Sequence, residues 1–367
     1  EGAEALRWSG EGGGGDEAGR GSRLRALLAS ESVKEREWRV VETAAALHRA
    51  RAAAAGGRDD DGSLRALLDR LTPLRESYPL RLLPIPDDGD GAAELHDEPL
   101  LASGGGAPPA GAEGAPPRRR VGIIDRRGRE GSAWSQKKRP QLLFMRRAVG
   151  ALCAAHPEWG QRPLRIVDVG GGKGFLARHL AEAFGANVSV VVLDRDARKI
   201  AYGQRAKAMP PNLEYVLGDA SALLPGESGV GDVDVVVGLH ACGALSDLVL
   251  AHAVGRRAAF CVVTCCFASL GELPLPPPYV TRDAWLGARV EASELTALLK
   301  ASERQGDPEL SRAAAHSVNA LRAAAVRDAW EGAEGGDGWA ALLRFEARYS
   351  PRNYAVCGAP WASGLEF

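Results

Sequence analysis

The chain is short of the features that would place it quickly. Its six cysteines, scattered from Cys153 to Cys357, include no C-x-x-C pair. They read as reduced thiols of an intracellular protein rather than as a disulfide framework. An excess of charge of one sign is also lacking. The formal net charge is −1, which argues neither for nor against a nucleic-acid partner and leaves that question to local patches. No apolar run approaches the roughly 20 residues a bilayer-spanning helix needs. The longest, around Ala258–Leu270, fits a buried strand and its exit loop, so no membrane association is expected. No signal-peptide pattern follows Glu1, the first residue. The expected place is inside the cell, in the cytoplasm or, behind a preceding targeting segment, in an organelle. The eight tryptophans are dispersed and form no stacking platform.

What is present is enough chain, at 367 residues, for about two domains and a full α/β core. Residues 1–21 are rich in Gly and Glu and are expected to be disordered. From 22 to 85 the pattern is helical. Leu24, Leu27 and Leu28, then Trp38, Val41 and Ala45, mark a first helix; Leu64, Leu67, Leu68 and Leu71 mark a second, stopped by Pro73. The pair forms a small module or packs on the main domain. Residues 86–132 form a disordered linker, acidic at first, then Gly/Ala/Pro-rich, then basic. In the stretch 118–147, eleven arginines and lysines stand against Asp125 and Glu130. Such a run suits phosphate groups, or is a solvated charge run in an Arg-rich protein. A helix is predicted over 140–155, with Leu142, Leu143, Met145, Val149 and Leu152 inward.

Strands and helices then alternate. Strands are predicted at 165–169, 188–193, 213–217, 233–239 and 259–264, with helices at 175–184, 197–208 and 245–254. This alternation implies right-handed crossovers and a parallel sheet covered on both faces. A proline-rich loop comes next, then helices near 293–302 and 308–325, the latter opened by Asp307-Pro308-Glu309. Two last apolar runs, 339–345 and 354–357, are short enough for a terminal β-hairpin joining the sheet edge.

One stretch concentrates the chemistry. Leu164-Arg-Ile-Val-Asp-Val-Gly-Gly-Gly-Lys-Gly174 is a buried strand, a tight turn and a helix start. Gly170, Gly172 and Gly174 let the backbone turn and approach a ligand closely, and the helix N-terminus offers free N–H groups. Asp194 closes the next strand, 24 positions after Gly170, where an acid can accept from ribose hydroxyls. Asp219 and Ala220 follow the third strand, beside an adenine edge. Asp168, two residues before the first glycine, can meet a ligand's ammonium group. Acids also favour solvated strand ends, but three of them with the glycine turn make an adenosine-ligand set. The turn places its third glycine one residue too early for a dinucleotide fingerprint, and Lys173 is followed by Gly174 rather than the hydroxyl residue a P-loop needs.

The spacing D-x-G-x-G-x-G and the order of elements resemble class I S-adenosylmethionine-dependent methyltransferases. That fold is Rossmann-like, a mostly parallel seven-stranded sheet with helices on both faces, and its terminal hairpin supplies an antiparallel strand seven between strands five and six. Five stretches sharpen the resemblance: Gln136-Lys-Lys138, Asp168 to Gly174, Gly238-Leu-His-Ala-Cys-Gly243, Cys265-Cys266 and Tyr349-Ser-Pro-Arg-Asn-Tyr354. Together they are similar to the group of methyltransferase-like protein 25 and the glutathione S-transferase C-terminal-domain-containing protein, and more distantly to tRNA 2′-O-methyltransferases of the Trm-thirteen type. The resemblance implies a methyltransferase domain over 133–367. It implies S-adenosyl-L-methionine held by Asp168, Gly170, Gly172, Gly174, Asp194, Asp219 and Ala220, and RNA (tRNA or rRNA) as acceptor, with the basic segment 118–147 on its phosphates. A non-catalytic cofactor- or partner-binding module, or methylation of a protein, are the alternatives. RNA-modifying relatives tend to carry His after the cysteine pair, where Phe267 stands here.

His240, Cys242, Cys265 and Cys266 come to adjacent strand ends and are the candidate catalytic set. Three readings stay open. They could bind zinc, although their spacings match no compact zinc motif and no metal ligand is assigned. Cys242 or Cys265 could attack a pyrimidine ring as a thiolate. Or they are packed thiols beside a histidine that orients a loop or acts as a general base. Cys153, Cys261 and Cys357 are expected in the core, and His179 at a surface or rim.

Overall fold

A computed structural model describes residues 61–85, 138–206, 209–220, 230–267, 275, 285–286, 289–304, 306–331, 338–350, 353–362 and 364–365. The expected disordered start, the first helix, the linker and the basic segment up to residue 137 lie outside the described residues. Among the described residues, eight strands form one sheet in the order β1-β7-β8-β6-β5-β2-β3-β4. These are β1 Leu80–Leu82, β2 Leu164–Val169, β3 Val188–Asp194, β4 Leu213–Leu217, β5 Val235–Ala241, β6 Ala259–Thr264, β7 Trp339–Arg344 and β8 Tyr354–Ala359. All neighbours pair in parallel except β8, which runs antiparallel to both β6 and β7. The antiparallel strand expected from the terminal hairpin is therefore β8, inserted between β6 and β7.

The central strands are valine-rich because both faces are covered. Val167, Val169, Val191, Leu193 and Val236 belong to one core cluster, while Leu164, Ile166, Val190, Val192, Val235 and Val237 belong to the other. The period-2 alternation assigns each set to its own face. The second cluster is closed by α3 (Arg139–Ala154) and α4 (Phe175–Phe184), the first by α6 (Ala244–Gly255), α7 (Ala292–Ala301) and α8 (Pro308–Glu331). A further helix, α5 (Ala197–Gln204), lies between β3 and β4 in the chain, its N-terminus capped by Asp196. Helix α8 starts where Asp307 accepts the Leu310 N–H at 3.0 Å, and it is alanine-rich where it crosses the sheet, which lets the backbones approach.

The N-terminal segment departs from expectation in two ways. Pro73 does not merely stop a helix: α1 (Asp61–Arg70) ends before it, and Pro73 sits in the first turn of α2 (Thr72–Ser77), the position that tolerates its missing N–H. The chain then adds a strand that no periodicity reveals. With only three residues, β1 is too short to show alternation, yet Leu80 pairs with Leu342 and covers the edge the hairpin was expected to form. The segment packs on the main domain rather than standing apart. Leu64, Leu67, Leu68 and Leu71 are buried in the cluster that contains α8, and burying such side chains contributes roughly 1.5–3 kcal/mol each. Arg75 donates to Ser317 Oγ at 2.9 Å and His316 Nε2 lies 2.8 Å from the Tyr78 carbonyl.

Candidate active site

The glycine turn sits between β2 and α4, at the carboxyl edge of the sheet. Gly170, Gly172 and Gly174 have φ of +68°, +59° and +77°, conformations an L side chain adopts only at a cost. Under them lies Asp168, 1% exposed. A Cβ on Gly171 would come 2.5 Å from Asp168 Oδ2, so the turn closes over the carboxylate and leaves no room for a side chain. Asp168 Oδ2 has no hydrogen-bond partner. Burial first, and then the Asp194 charge, push its carboxyl up to about 7, against a backbone hydrogen bond at Ala177 that favours the carboxylate.

Asp194 ends β3, buried as well. Its Oδ2 accepts the Gly172 N–H at 2.9 Å and its Oδ1 the Asp196 N–H at 2.8 Å. These bonds fix the carboxylate against the turn, and each oxygen keeps a lone pair for a hydroxyl donor. The Gly218 N–H reaches the Asp194 carbonyl at 3.1 Å, which carries exposed Asp219 and buried Ala220 to the same edge. Asp168, Gly170, Gly172, Gly174 and Asp194 thus come together at the turn, with Asp219 and Ala220 following β4 at the same edge. Lys173 turns away: its ammonium lies 3.8 Å from the centre of the Tyr202 ring, so it does not point a charge into the turn.

The second half of the site is built at the ends of β5 and β6. The ladder between them shifts register at Leu239/Ala241, and His240 takes φ +64° there, a bulge that re-aims the side chain. His240 Nε2 lies 2.9 Å from Gln141 Oε1, in the first turn of α3. His240 is exposed as a residue, but its ring is partly desolvated where it meets Gln141, and this, then the charge of nearby Lys138, lowers its pKa from the usual imidazole value. Cys242 Sγ and Cys265 Sγ are 2.9 Å apart. The Cys265 thiol is raised far above its ordinary range, first by the Cys242 hydrogen bond and then by burial, which makes it a poor free thiolate. The two halves meet where a Cβ on Gly170 would touch Leu245 at 3.3 Å. His240, Cys242 and Cys265 therefore do share one strand-end cluster, beside the glycine turn.

Residues 137–272 match the family model described as a methyltransferase domain. That segment is a methyltransferase domain. Its cofactor is S-adenosylmethionine, and the residues fit it: a buried carboxylate oxygen without a donor at Asp168 suits a cationic ligand, and Asp194 suits a ribose. Among solved structures, the chain is similar to a plantazolicin methyltransferase in complex with SAH. There the identity is 11%, covering 61% of this chain and 86% of that one, with a TM-score of 0.33. It is similar to a fibrillarin/Nop5p complex at 16% identity, covering 38% of this chain and 62% of that one, with a TM-score of 0.28. For TrmK of M. capricolum in complex with S-adenosylhomocysteine the values are 10%, 32%, 50% and 0.25. The first likeness is the broadest of these three and the last spans only half of the other chain. At such identities and scores none of them bears on the acceptor. No curated protein matches the sequence.

Several residues of the site carry no local sequence signal. Tyr215, on β4, donates to the Lys173 carbonyl at 3.1 Å and fills the space beside Gly174 and Gly203. Arg322 on α8 and Asp247 on α6, each 1% exposed at the side chain, pair at 2.8 and 2.9 Å. Arg322 also reaches the Gly243 carbonyl at 3.4 Å and packs 5.7 Å from the Phe267 ring, so Phe267 is a buried support of the β5–α6 turn. His179 is not at the rim as expected: α4 presses it against α3, where it is 4% exposed, and burial takes its pKa down to about 4. Cys153, Cys261 and Cys357 are buried in the sheet-side core as expected.

Proposed function

We propose that the chain methylates RNA, with His240 as general base. The observation that carries this reading is the His240–Gln141 contact at 2.9 Å, which brings the end of the basic segment 118–147 onto the strand end beside the cofactor turn. Lys138, Arg139, Arg146 and Arg147 of that segment precede or line α3. Lys138 acts on His240 electrostatically and stands 5.2 Å from the centre of the Phe175 ring, at the mouth of α4. A phosphate held by Lys138 would therefore lie beside the proposed base.

Bound at the turn, S-adenosylmethionine supplies an electrophilic methyl group. The chain's own residues do the rest. Asp168 answers the ligand's positive charge and Asp194 its ribose. His240, kept neutral by its surroundings, takes the proton that the acceptor's nitrogen or oxygen loses. With Gln141 Oε1 accepting from Nε2, the basic lone pair is on Nδ1. Most of the rate gain comes from alignment of acceptor and methyl, with proton removal adding to it. Among the described residues no helix is long and apolar enough to cross a membrane.

The test is transfer of labelled methyl from S-adenosylmethionine onto total cell extract, followed by RNase or protease. Label released by RNase and lost in His240→Ala supports the reading. Label released only by protease makes the acceptor a protein. Cofactor binding without any transfer makes the chain a binding module. Calorimetry on Asp194→Ala, which should lose cofactor affinity, checks the site itself.

A further inference from the structure

Two kinds of cysteine occur in this fold. Cys261 and Cys357 lie mid-strand, fully buried and 3.1 Å apart at sulfur, with Met145 beside Cys261; they fill space in the core. Cys242, Cys265 and Cys266 differ. They stand at the exits of β5 and β6, Cys242 and Cys266 partly exposed, and their three sulfurs all lie within 4.8 Å of one another. Cys265 hydrogen-bonds both of the others. The Gly243 N–H donates to the Cys266 carbonyl, which ties the two strand ends together at the cluster. Among the described residues no carboxylate joins the three, and the His240 ring is turned to Gln141.

We propose that Cys242, Cys265 and Cys266 form a three-thiolate site for a thiophilic divalent cation of the zinc class. Soft sulfur donors select such ions over magnesium or calcium. On loading, three S–H groups release three protons to solvent and each sulfur donates an electron pair to the ion. A doubly charged ion at their centre favours the thiolate form of its ligands. A zinc–sulfur length of about 2.3 Å puts tetrahedral sulfurs about 3.8 Å apart. Cys242 and Cys265 therefore separate by about 0.9 Å from their 2.9 Å spacing, and the other two pairs already lie within 4.8 Å. The fourth position is left to water or to a donor atom of the acceptor. A disulfide would use only two of the three sulfurs and would need an oxidant. The other convergent group, His156, Glu158 and Asp234, carries no such site, because Arg162 already forks onto Asp234 at 2.7 Å and pairs with Glu158.

The experiment is a Co²⁺ titration of the full chain, purified metal-free under a reductant. Thiolate-to-cobalt charge-transfer absorption should saturate at one equivalent and disappear on adding Zn²⁺. Cys242→Ser, Cys265→Ser and Cys266→Ser should each remove about one third of that absorption or abolish binding, while Cys153→Ala leaves it intact. S-adenosylmethionine calorimetry on every variant reports whether the domain has folded, and the wild-type spectrum stands by itself if a variant has not. Wild-type protein that binds S-adenosylmethionine but shows no charge-transfer band overturns the site without touching the methyltransferase reading. A Cys242–Cys265 disulfide in peptide maps of protein isolated without reductant, with no metal bound after reduction, also overturns it.

Discussion

Cofactor binding should expel a proton from Asp168. The carboxyl is 1% exposed, its Oδ2 has no partner, and burial takes it from the ordinary 3.8 to about 7. At pH 6 the ligand-free protein therefore holds this acid mostly neutral. A ligand carrying an ammonium and a sulfonium favours the carboxylate, so binding below pH 7 releases the proton, and affinity falls about tenfold for each pH unit below that point. The stability of the ligand-free protein moves the opposite way. Between 3.8 and about 7 the folded chain holds a proton that the unfolded chain has released. That contribution is fully present below the lower value and is lost as pH rises through the upper one. Its size is on the order of 4 kcal/mol. Asp168→Asn removes the titration. Its affinity for the cofactor should be low and flat with pH, and its stability should not fall between pH 5 and 7.5. Its gain at pH 7.5 is reduced by the roughly 1–3 kcal/mol of an amide N–H left unpaired. Calorimetry in buffers of different ionisation enthalpy measures the released proton directly. The window stays below the titration of the ligand's α-amino group, at about 7.7–8.0. Wild-type affinity that does not change between pH 5.5 and 7.5, or binding without proton release, refutes the reasoning.

The remaining predictions concern Gly171, the Arg322–Asp247 pair and Lys138. Gly171→Ala should abolish cofactor binding, because the new Cβ would stand 2.5 Å from Asp168 Oδ2; retained affinity in the same calorimetric assay would mean that the turn relaxes freely. Arg322→Met should cost about 3–5 kcal/mol in urea unfolding by stranding buried Asp247, and the double variant with Asp247→Leu should recover most of it; an additive double variant would deny the coupling. Lys138→Gln removes a positive charge that lowers the His240 pKa. The acid limb of the pH–rate profile should then move to higher pH with the plateau kept, and an unmoved limb would take His240 out of the base's role.

The cofactor half of the site is legible in the sequence because it is nearly contiguous. One strand, one turn and one helix start carry Asp168 to Gly174, and a parallel crossover returns the chain to Asp194 on the adjacent strand, so linear spacing translates directly into geometry. The sheet is legible for a related reason: strands buried on both faces are continuous valine runs, and their alternation with helices admits few topologies. Where these signals are missing, expectation and structure part. β1 has three residues and no period of its own, and nothing in Leu80–Leu82 announces the Leu342 it pairs with. His179 is by residue type a polar group near a helix surface, but α3 folds over that face and buries it.

The strand-end half of the site is assembled by a different logic. Its residues come from the first turn of α3, the bulge ending β5, the exit of β6 and, through Arg322, the far side of α8; Gln141 and His240 are 99 positions apart, Asp247 and Arg322 75. No local pattern links such residues, and each alone has an ordinary explanation. A glutamine in a helix, a histidine after a strand or a cysteine pair becomes informative only once the fold supplies the neighbour. The buried Arg322–Asp247 pair shows what that assembly requires. An ion pair of this kind gives little net stability over apolar packing, but its guanidinium also reaches the Gly243 carbonyl and the Phe267 ring. It thereby holds the β5–α6 turn, with Cys242 on one side and Cys266 on the other, at a fixed distance from the glycine turn. The chemistry proposed for the strand ends depends on that placement, which makes the Arg322→Met and Asp247→Leu pair a test of positioning as well as of stability. If the double variant regains stability but not methyl transfer, the ion pair orients the site rather than merely filling the core.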